Sequence, residues 1–314
     1  MIVYLLRRFL QAIPVLILVS FAIFSILYLL PGDPAALMLS ETGASAEAVA
    51  RLRSQLGLDQ PAYIQYFRFV GNALAGDLGN SITSGRPVIT EIRSALPNTL
   101  QLALAAALIA VIIGVVSGIV AGLYQNTWVD TLMMMVSLFG VSMPIFWLGL
   151  MMIFIFSVRL HWFPMTGQGG LDRLILPAVA LGFTYSGTIA RMTRSSILEV
   201  LRQEYMTTAR AKGLAEHVVL LRHGLRNALI PVITMVGLQM GQLFGGTVIV
   251  ETVFARPGLG SLTVNAIFIK DFRVVQGTIL MSAVIFMAIN LLVDFVYTLL
   301  DPRIKATIAE GGDA

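Results

Sequence analysis

The chain has 314 residues, of which 57% are hydrophobic and only 12% are charged, and its mean hydropathy is +0.85. A soluble domain carries about a quarter charged residues, so this composition excludes an ordinary water-soluble protein and indicates an integral membrane protein. The net charge of +4 does not indicate nucleic acid binding, because Lys and Arg that flank membrane helices account for it.

Six apolar segments are long enough to cross a bilayer, since about 20 helical residues span the hydrocarbon core. Backbone groups in lipid must pair within their own segment, so these runs are expected to be helices. The predicted fold class is therefore an all-α integral membrane protein with six transmembrane helices. The predicted spans are 9–30, about 99–123, 131–158, 174–190, about 229–250 and about 274–300, the last closed by Asp301-Pro302.

The first span follows Arg7-Arg8 and ends at Pro31-Gly32-Asp33-Pro34. No small-residue cleavage site follows its apolar run, which favours a retained signal anchor. Residues 1–30 are thus a short tail and the first transmembrane helix.

Residues 31–98 form a long loop with amphipathic helices predicted at 46–55, ended by Gly57, and at 62–74. A third short helix is predicted from Pro87 to Ala95. The second helix carries an aromatic cluster, which we expect at the lipid–water interface, with a docking surface for an external protein as the alternative. The cluster comprises Tyr63, Tyr66, Phe67 and Phe69.

An even number of spans places both termini on one side of the membrane. Lys and Arg are more frequent in the N-terminus, the 191–226 loop and the tail than in the short loops on the other side. The positive-inside rule therefore predicts cytoplasmic termini and an external 31–98 loop, with residues 99–314 as the membrane core.

Glycines recur at four-residue spacing in the second and fifth spans, which places each set on one helix face. Such faces let another helix backbone approach closely. We predict helix packing at Gly114, Gly118, Gly122, Gly237, Gly241 and Gly245.

The predicted spans contain almost no ionisable groups, and Asp294 is the only acidic residue placed inside one. The chain has no cysteine, its three histidines are scattered, and the dipeptide Gly-Lys of a phosphate-binding loop does not occur. We expect neither a metal site nor a catalytic cluster, and no cofactor in this chain. We predict that a solute pathway is lined by Met143, Pro144, Phe146 and Trp147, which break and line the third span, and by Gln239 and Gln242 in the fifth. Ordinary packing between helices is the alternative for these residues.

The polar loop at 191–228 is the most informative segment, because it carries seven of the chain's 21 Lys and Arg residues. Ser196 and Glu199 fit a capping box at a helix start. Arg210 and Lys212 suit the last turn of this helix, and Gly213 suits the left-handed residue that ends it. A second helical piece is predicted at about 216–225, before Pro231 re-enters the membrane.

Residues Glu204 to Gly213 resemble the EAA loop of permeases of ATP-binding-cassette importers, although Tyr205 stands where the general pattern has alanine. Further motifs are similar to those of the dipeptide, oligopeptide and nickel branch, and within it to the first of its two permease subunits. They are Leu30-Pro31-Gly32-Asp33-Pro34, Arg191-Met192-Thr193-Arg194-Ser195-Ser196, Thr208 to Leu214, Leu225-Arg226-Asn227-Ala228-Leu229-Ile230-Pro231, Glu251-Thr252-Val253-Phe254 and Pro257-Gly258-Leu259-Gly260.

This resemblance implies a type I importer permease with a cytoplasmic coupling helix between its fourth and fifth spans. It also implies a second homologous permease, two cytoplasmic ATPase subunits that bind ATP and Mg, an external solute-binding protein, and an inner-membrane location. The residues that it implies for ATPase coupling are Glu204, Tyr205, Met206, Ala209, Arg210, Ala211, Lys212, Gly213 and Leu214.

The expected solutes are di- or oligopeptides, with glutathione or a nickel chelate as alternatives. The chain itself is not expected to be an enzyme. A stand-alone carrier or channel, and a membrane enzyme, are the competing classes.

Overall fold

The structure, a computed structural model, describes residues 2–29, 45–56, 59–167 and 169–300. The described residues are helical with short connections. The α-helices are α1 (Ile2–Leu29), α2 (Ala46–Leu56), α3 (Ala62–Leu74), α4 (Val88–Leu123), α5 (Trp128–Ser142), α6 (Ile145–Met152), α7 (Asp172–Leu201), α8 (Glu204–Ala211), α9 (Arg226–Val253), α10 (Leu259–Phe268) and α11 (Phe272–Leu300).

Among the described residues, five helical segments are long and apolar enough to cross a membrane, and the bent pair of α5 and α6 makes a sixth when it counts as one span. This agrees with the six predicted spans. The motifs at Leu30 to Pro34 and Asp301-Pro302, and Gly57, lie outside the described residues.

The helices extend beyond several predicted boundaries. The predicted short helix from Pro87 to Ala95 is wrong, because α4 begins at Val88 and continues through Pro97 to Leu123. Pro231 likewise lies inside a helix, α9, which begins at Arg226. Neighbouring helices and local backbone adjustments let membrane helices tolerate proline, so hydropathy windows that stop at proline are too short.

The third span is broken where the sequence predicted a break. Helix α5 ends at Ser142, Met143 is extended, and Pro144 precedes α6. The axes of the two parts are bent by 106°. After α6 the helix continues as a π-helical segment, Ile153–Arg159.

Two compact units divide the chain. The loop unit comprises Leu6–Asn98 and Pro257–Ala288, and the core unit comprises Met1–Leu5, Thr99–Arg256 and Ile289–Ala314.

In the loop unit, the aromatic cluster on α3 is divided between two environments. Tyr66 packs against the Phe21 and Phe24 rings of α1, with ring centroids 5.7 Å and 5.5 Å apart, and its hydroxyl lies 3.0 Å from Ser20 Oγ. Tyr63 and Phe67 are exposed. Part of the cluster therefore fixes α3 on α1, and only these two aromatic side chains remain open to lipid or to a partner.

A buried aspartate organises the rest of the loop unit. The Oδ2 atom of Asp271 accepts hydrogen bonds from Ser81 Oγ at 2.6 Å and from the backbone amides of Ile82 and Thr83 at 3.0 Å and 3.2 Å. Asp271 is 1% exposed and directly precedes α11. One carboxylate therefore ties the turn before α4 to the start of the last helix.

In the core unit, α7 packs mainly against α5 and α9. The glycines of α4 face α7 at close range: a methyl at Gly114 would lie 2.8 Å from the Ser186 carbonyl, and one at Gly122 would lie 2.8 Å from Ile197 Cγ2. At Gly118 the corresponding obstacles are Thr193 and the Ala190 carbonyl. These three positions of α4 lie close to α7.

The α9 glycines follow the prediction only in part. Gly237 and Gly241 are buried, but Gly245 is exposed and a methyl there would meet nothing within 4 Å. The close approach is made by Gly246, where a methyl would lie 2.9 Å from Leu181 and 3.0 Å from the Tyr185 hydroxyl. Gly245 has no close neighbour among the described residues because four-residue spacing drifts around a helix with 3.6 residues per turn, and its packing role stays a prediction.

Candidate coupling site

The polar segment begins where α7 stops. The predicted capping box is wrong, because Ser196 and Glu199 lie inside α7, which continues to Leu201. Arg202 ends that helix and Gln203 takes an extended conformation, with φ −73° and ψ 145°. The chain therefore changes direction over two residues, and α8 starts at Glu204 as an independent short helix of eight residues.

The end of α7 is held by an ion pair with α5. Arg194 donates from Nε to Asp130 Oδ1 and from Nη2 to Asp130 Oδ2, each at 2.6 Å. The amide of Asn126 also donates to Oδ2 at 3.1 Å, so the turn between α4 and α5 shares the same carboxylate. Asp130 is buried. The turn before α5, the start of α5 and the last turns of α7 are thus joined at one polar contact.

One face of α8 is fixed by apolar contacts. Met206 and Ala209 are buried and pack with Val219, and Val200 and Leu201 at the end of α7 complete the cluster. Two side chains at three-residue spacing lie on one face of a helix, so this face turns toward the chain. Met206 and Ala209 belong to the residues predicted for ATPase coupling, and their burial makes them the anchor of α8.

Two polar contacts fix the ends of α8. Tyr205 Oη accepts a hydrogen bond from Asn227 Nδ2 at 3.0 Å, which ties the first turn to α9. Arg210 in the last turn donates from Nη2 to Glu216 Oε1 at 2.9 Å. The carboxylate of Glu216 accepts this hydrogen bond and so raises the pKa of Arg210 above its ordinary value. These two contacts therefore hold α8 to Glu216 and to Asn227, near the two ends of the segment that follows it.

Gly213 has the conformation that the sequence predicted. Its φ is +74°, and its amide donates to the Arg210 carbonyl at 2.9 Å. Only glycine, and to a lesser degree asparagine, takes this left-handed conformation at low cost. A methyl added at Gly213 would meet no atom within 4 Å, so the requirement for glycine comes from the backbone and not from space.

The remaining predicted coupling residues form an exposed surface, which we call the α8 face. Polar, charged and small side chains predominate, and Leu214 is its exposed apolar side chain, at 41%. The predicted residues on the α8 face are Glu204, Tyr205, Arg210, Ala211, Lys212, Gly213 and Leu214, and the exposed side chains of Thr207 and Thr208 complete it.

The segment that supports the α8 face contains a second π-helical segment. The turn Glu216–Val218 leads into Val219–Leu225, which widens the helix before α9 begins. The predicted helix at 216–225 is therefore present, but it is continuous with α9. Gly224 lies in this segment, and a methyl there would lie 3.4 Å from Met206 Cε.

The predicted pathway residues are not all accessible. Phe146, Trp147 and Gln242 are exposed, at the bend of the third span and on α9. Gln239 is 6% exposed and therefore belongs to the packed interior of the core unit. Tyr185 donates from its hydroxyl to the Gln242 carbonyl at 2.8 Å, which fixes the backbone of α9 at that point.

Sequence reasoning missed a polar cluster at the end of α9. Glu251 is fully buried and accepts a hydrogen bond from Thr99 Oγ1 of α4 at 2.6 Å. Arg256 is 2% exposed and donates from Nη2 to Gln101 Oε1 at 3.2 Å. The prediction that Asp294 is the only acidic residue inside a span is wrong, because α9 continues through Glu251 to Val253. The predicted fifth span ended at about Val250, so Glu251 was not counted inside a span.

Two family profiles match nearly the whole chain. The profile described as "Binding-protein-dependent transport system inner membrane component" matches residues 114–306, and its N-terminal counterpart matches residues 1–103. The first match alone covers more than half of the chain.

Curated relatives match over nearly their full length. The glutathione transport system permease proteins GsiC of Escherichia coli K12 and of Salmonella paratyphi A are each 45% identical over 302 residues, which cover 96% of this chain and 98% of the relative.

Solved structures share the fold at low sequence identity. An inward-facing structure of the MetNI methionine ABC transporter covers 67% of this chain and 96% of its own, with a TM-score of 0.58 and 20% identity. A crystal structure of an amino acid ABC transporter covers 68% of this chain and 94% of its own, with a TM-score of 0.52 and 15% identity. The helical fold and the α8 segment are consistent with these matches. The chain belongs to the binding-protein-dependent transport system inner membrane components, as a multi-pass permease subunit of an ABC importer of the dipeptide and oligopeptide family.

Proposed function

We propose that this chain forms one half of a heteromeric transmembrane pathway for short peptides, and that the α8 face receives the force of ATP hydrolysis. A second homologous permease supplies the other half of the pathway. Two ATPase subunits bind ATP and Mg, and an external binding protein delivers the solute. The observation that carries the proposal is α8 itself, a short helix with an anchored inner face and an exposed outer face.

The attachment of α8 suits the transmission of force. A helix tied only by flexible loops would move alone when a partner pulls on it. Burial of Met206 and Ala209 joins α8 to the last turn of α7 and to Val219. A displacement of α8 therefore has to move these helices too, which is coupling through a two-state element.

The α8 face is suited to a protein partner. It combines the charges of Glu204, Arg210 and Lys212 with the exposed apolar side chain of Leu214. A protein interface contains an apolar centre and a polar rim. An ATPase cleft that accepts a single helical turn would meet both kinds of side chain.

We further propose that both termini and α8 face the cytoplasm. The absence of cysteine makes this testable, because each introduced cysteine is the only thiol in the chain. A membrane-impermeant maleimide should label Ser84→Cys in intact cells and Lys212→Cys only after permeabilisation; both positions are exposed. The reverse pattern would overturn the orientation.

The solute class that we propose is di- and oligopeptides, and glutathione is the alternative that the comparisons favour. The relatives at 45% identity are named for glutathione transport. Glutathione is itself a tripeptide, so both solutes need a pathway that accepts peptide amides. The exposed amide of Gln242 and the exposed rings of Phe146 and Trp147 provide hydrogen bonding and stacking of this kind.

Co-purification tests the assembly. The tagged chain, expressed together with candidate permease and ATPase subunits from the same organism, should retain a second permease and ATPase subunits in detergent. A chain that purifies alone and transports peptide in liposomes without ATP would be a carrier or channel, and the proposal would be wrong.

The solute is tested on the binding protein that stimulates this complex. Its thermal unfolding should shift upward with dipeptides, oligopeptides or glutathione. A shift with nickel chelates alone would replace the peptide assignment by the metal alternative.

A further inference from the structure

The π-helical segment Val219–Leu225, which we call the π segment, carries one extra residue on its buried face. After Gly224 the buried positions follow at four-residue spacing, at Ala228 and at Val232. The step before them, from Val219 to Gly224, is five residues long. A turn of π-helix closes between residues i and i+5, whereas an α-helical turn closes between i and i+4. The burial pattern and the backbone therefore both indicate a single inserted residue.

Met206 of α8 contacts both ends of this five-residue step. Its side chain packs with Val219, and a methyl on Gly224 would lie 3.4 Å from its Cε atom. In an α-helix, residues five apart are separated by about 140° around the helix axis. A side chain that approaches from one direction could then contact only one of the two positions. The docked position of Met206 therefore requires the π form.

A second residue of α8 contacts the end of the π segment. Asn227 Nδ2 donates to the Tyr205 hydroxyl at 3.0 Å and to the His223 carbonyl at 3.1 Å. Tyr205 and Met206 are neighbours in the first turn of α8, so this one turn is connected both to the buried face of the π segment and to one of its carbonyls. The conformation of the π segment and the position of α8 therefore depend on each other.

We propose that the π segment is a two-state hinge, which is π-helical while Met206 is docked against it and α-helical when α8 moves away. π-helices are rare, occur mostly as single turns within α-helices, and are frequent at functional sites. The α-helix is thus the ordinary conformation of such a stretch, and the contacts of α8 select the π form.

Conversion of the hinge has a defined size. Loss of the inserted residue from the π turn rotates the preceding helical turn by about 100° relative to α9 and shifts it by about 1.5 Å. Movement of α8 would thus become a discrete step at the start of α9, and packed helices amplify small shifts in this way. This consequence rests on the proposed coupling function, whereas the two states of the hinge do not.

Hydrogen exchange of a Met206→Ala variant tests the two states without nucleotide. In the complex, purified with its accompanying subunits, this variant lacks the side chain that selects the π form. We expect backbone amides of residues 204–211 to exchange faster and those of residues 219–225 to exchange about fivefold more slowly, because the π segment gains α-helical hydrogen bonds. Met135→Ala on the exposed side of α5 is the matched control and should change neither. Faster or unchanged exchange at 219–225 would overturn the proposal.

Deletion of Leu221 tests the inserted residue by a second route. Leu221 is 62% exposed, and without it Val219 and Gly224 would be four residues apart, on one face of an α-helix. We expect this variant to fold, with a thermal midpoint within about 3 °C of the unchanged protein. Deletion of Leu238, which is 64% exposed in α9, should lower the midpoint much more, because it rotates one half of α9 against the other. Equal losses would contradict an inserted residue in the π segment.

Nucleotide separates the hinge from its use in transport. If α8 couples ATP hydrolysis to transport, a non-hydrolysable ATP analogue should give the complete complex the exchange pattern of Met206→Ala. That pattern in the variant, with no response to the analogue, would keep the hinge and show that its role in coupling is wrong. A response of residues 204–211 to the analogue without slower exchange at 219–225 would keep the coupling function and overturn the hinge.

Discussion

Asp130 and Arg194 form a two-point ion pair, in which both carboxylate oxygens of Asp130 accept hydrogen bonds from Arg194 at 2.6 Å. The carboxylate side chain is 6% exposed and the guanidinium side chain is 27% exposed. The pair joins the start of α5 to the last turns of α7, which lead directly into α8. Its geometry requires the planar fork of arginine, since lysine cannot donate two parallel hydrogen bonds.

Replacing Asp130 by Asn should lower the free energy of unfolding by about 3 kcal/mol, the lower end of the cost of removing one partner of a buried pair. We expect the lower end of that range of costs because the side chain of Arg194 is partly exposed. Arg194→Lys should cost less, because it keeps the charge. The measurement is the thermal midpoint of the purified protein in detergent.

The exposed pair of Arg210 and Glu216 is the matched control. Its side chains are 41% and 56% exposed, and such pairs contribute at most about 1 kcal/mol. If Arg210→Lys destabilised the protein as much as Asp130→Asn, the assignment of a structural role to the buried pair would be wrong.

Gly118→Ala should destabilise the core unit by about 1–3 kcal/mol, because the new methyl would overlap Thr193 and the Ala190 carbonyl. Gly245→Ala is the control on a membrane helix of the same unit. Its methyl would meet nothing within 4 Å, and alanine favours helix by about 1 kcal/mol over glycine. Thermal midpoints that fall equally for both variants would contradict close packing of α4 on α7.

Glu251→Gln should be strongly destabilising although it keeps an acceptor for Thr99. Burial lowers the pKa of Arg256, and the negative charge of Glu251 opposes that effect. Removing a charge that compensates a buried guanidinium costs roughly 3–5 kcal/mol. In a double-mutant cycle, Glu251→Gln combined with Arg256→Gln should cost less than the sum of the two single changes. Additive losses would show that the two charges do not interact.

Cysteine labelling distinguishes the two predicted pathway glutamines. In the cysteine-free chain, Gln242→Cys should react with a water-soluble maleimide in the assembled transporter, and added peptide should slow the reaction. Gln239→Cys should stay unreactive, because its side chain is 6% exposed. Reaction of neither position would place the exposed face of α9 in lipid or against a partner helix and would remove Gln242 from the pathway.

The sequence predicted the helical class and the bend at Pro144 well, because both depend on local composition. Apolar runs mark spans, and a proline after an extended residue marks a break. The helix ends were less predictable. Ser196 fits a capping pattern, but packing of α7 against α4 and α5 keeps that segment helical to Leu201.

Pairing across the fold could not be predicted from one sequence. Asp130 and Arg194 are 64 residues apart, and Thr99 and Glu251 are 152 apart. Motif spacing located α8 and the left-handed Gly213, since both are local. Which of its residues face inward depends on Val219 and Val200, which lie outside the motif. The assignment of Met206 and Ala209 to the anchor therefore needed the structure.

The proposed transfer of free energy from ATP hydrolysis to the pathway through α8 is measured by paired assays of Gly213→Val. Valine at φ +74° is strained, so this variant should distort the end of α8 while the chain stays in the membrane. Gly213→Asn, which tolerates the left-handed region better, is the matched control.

In proteoliposomes that contain the complete complex and binding protein, ATP hydrolysis and solute uptake are measured together. We predict that Gly213→Val hydrolyses ATP without stimulation by the loaded binding protein and shows little uptake, whereas Gly213→Asn retains most of both activities. Normal substrate-stimulated uptake by Gly213→Val would contradict the claim.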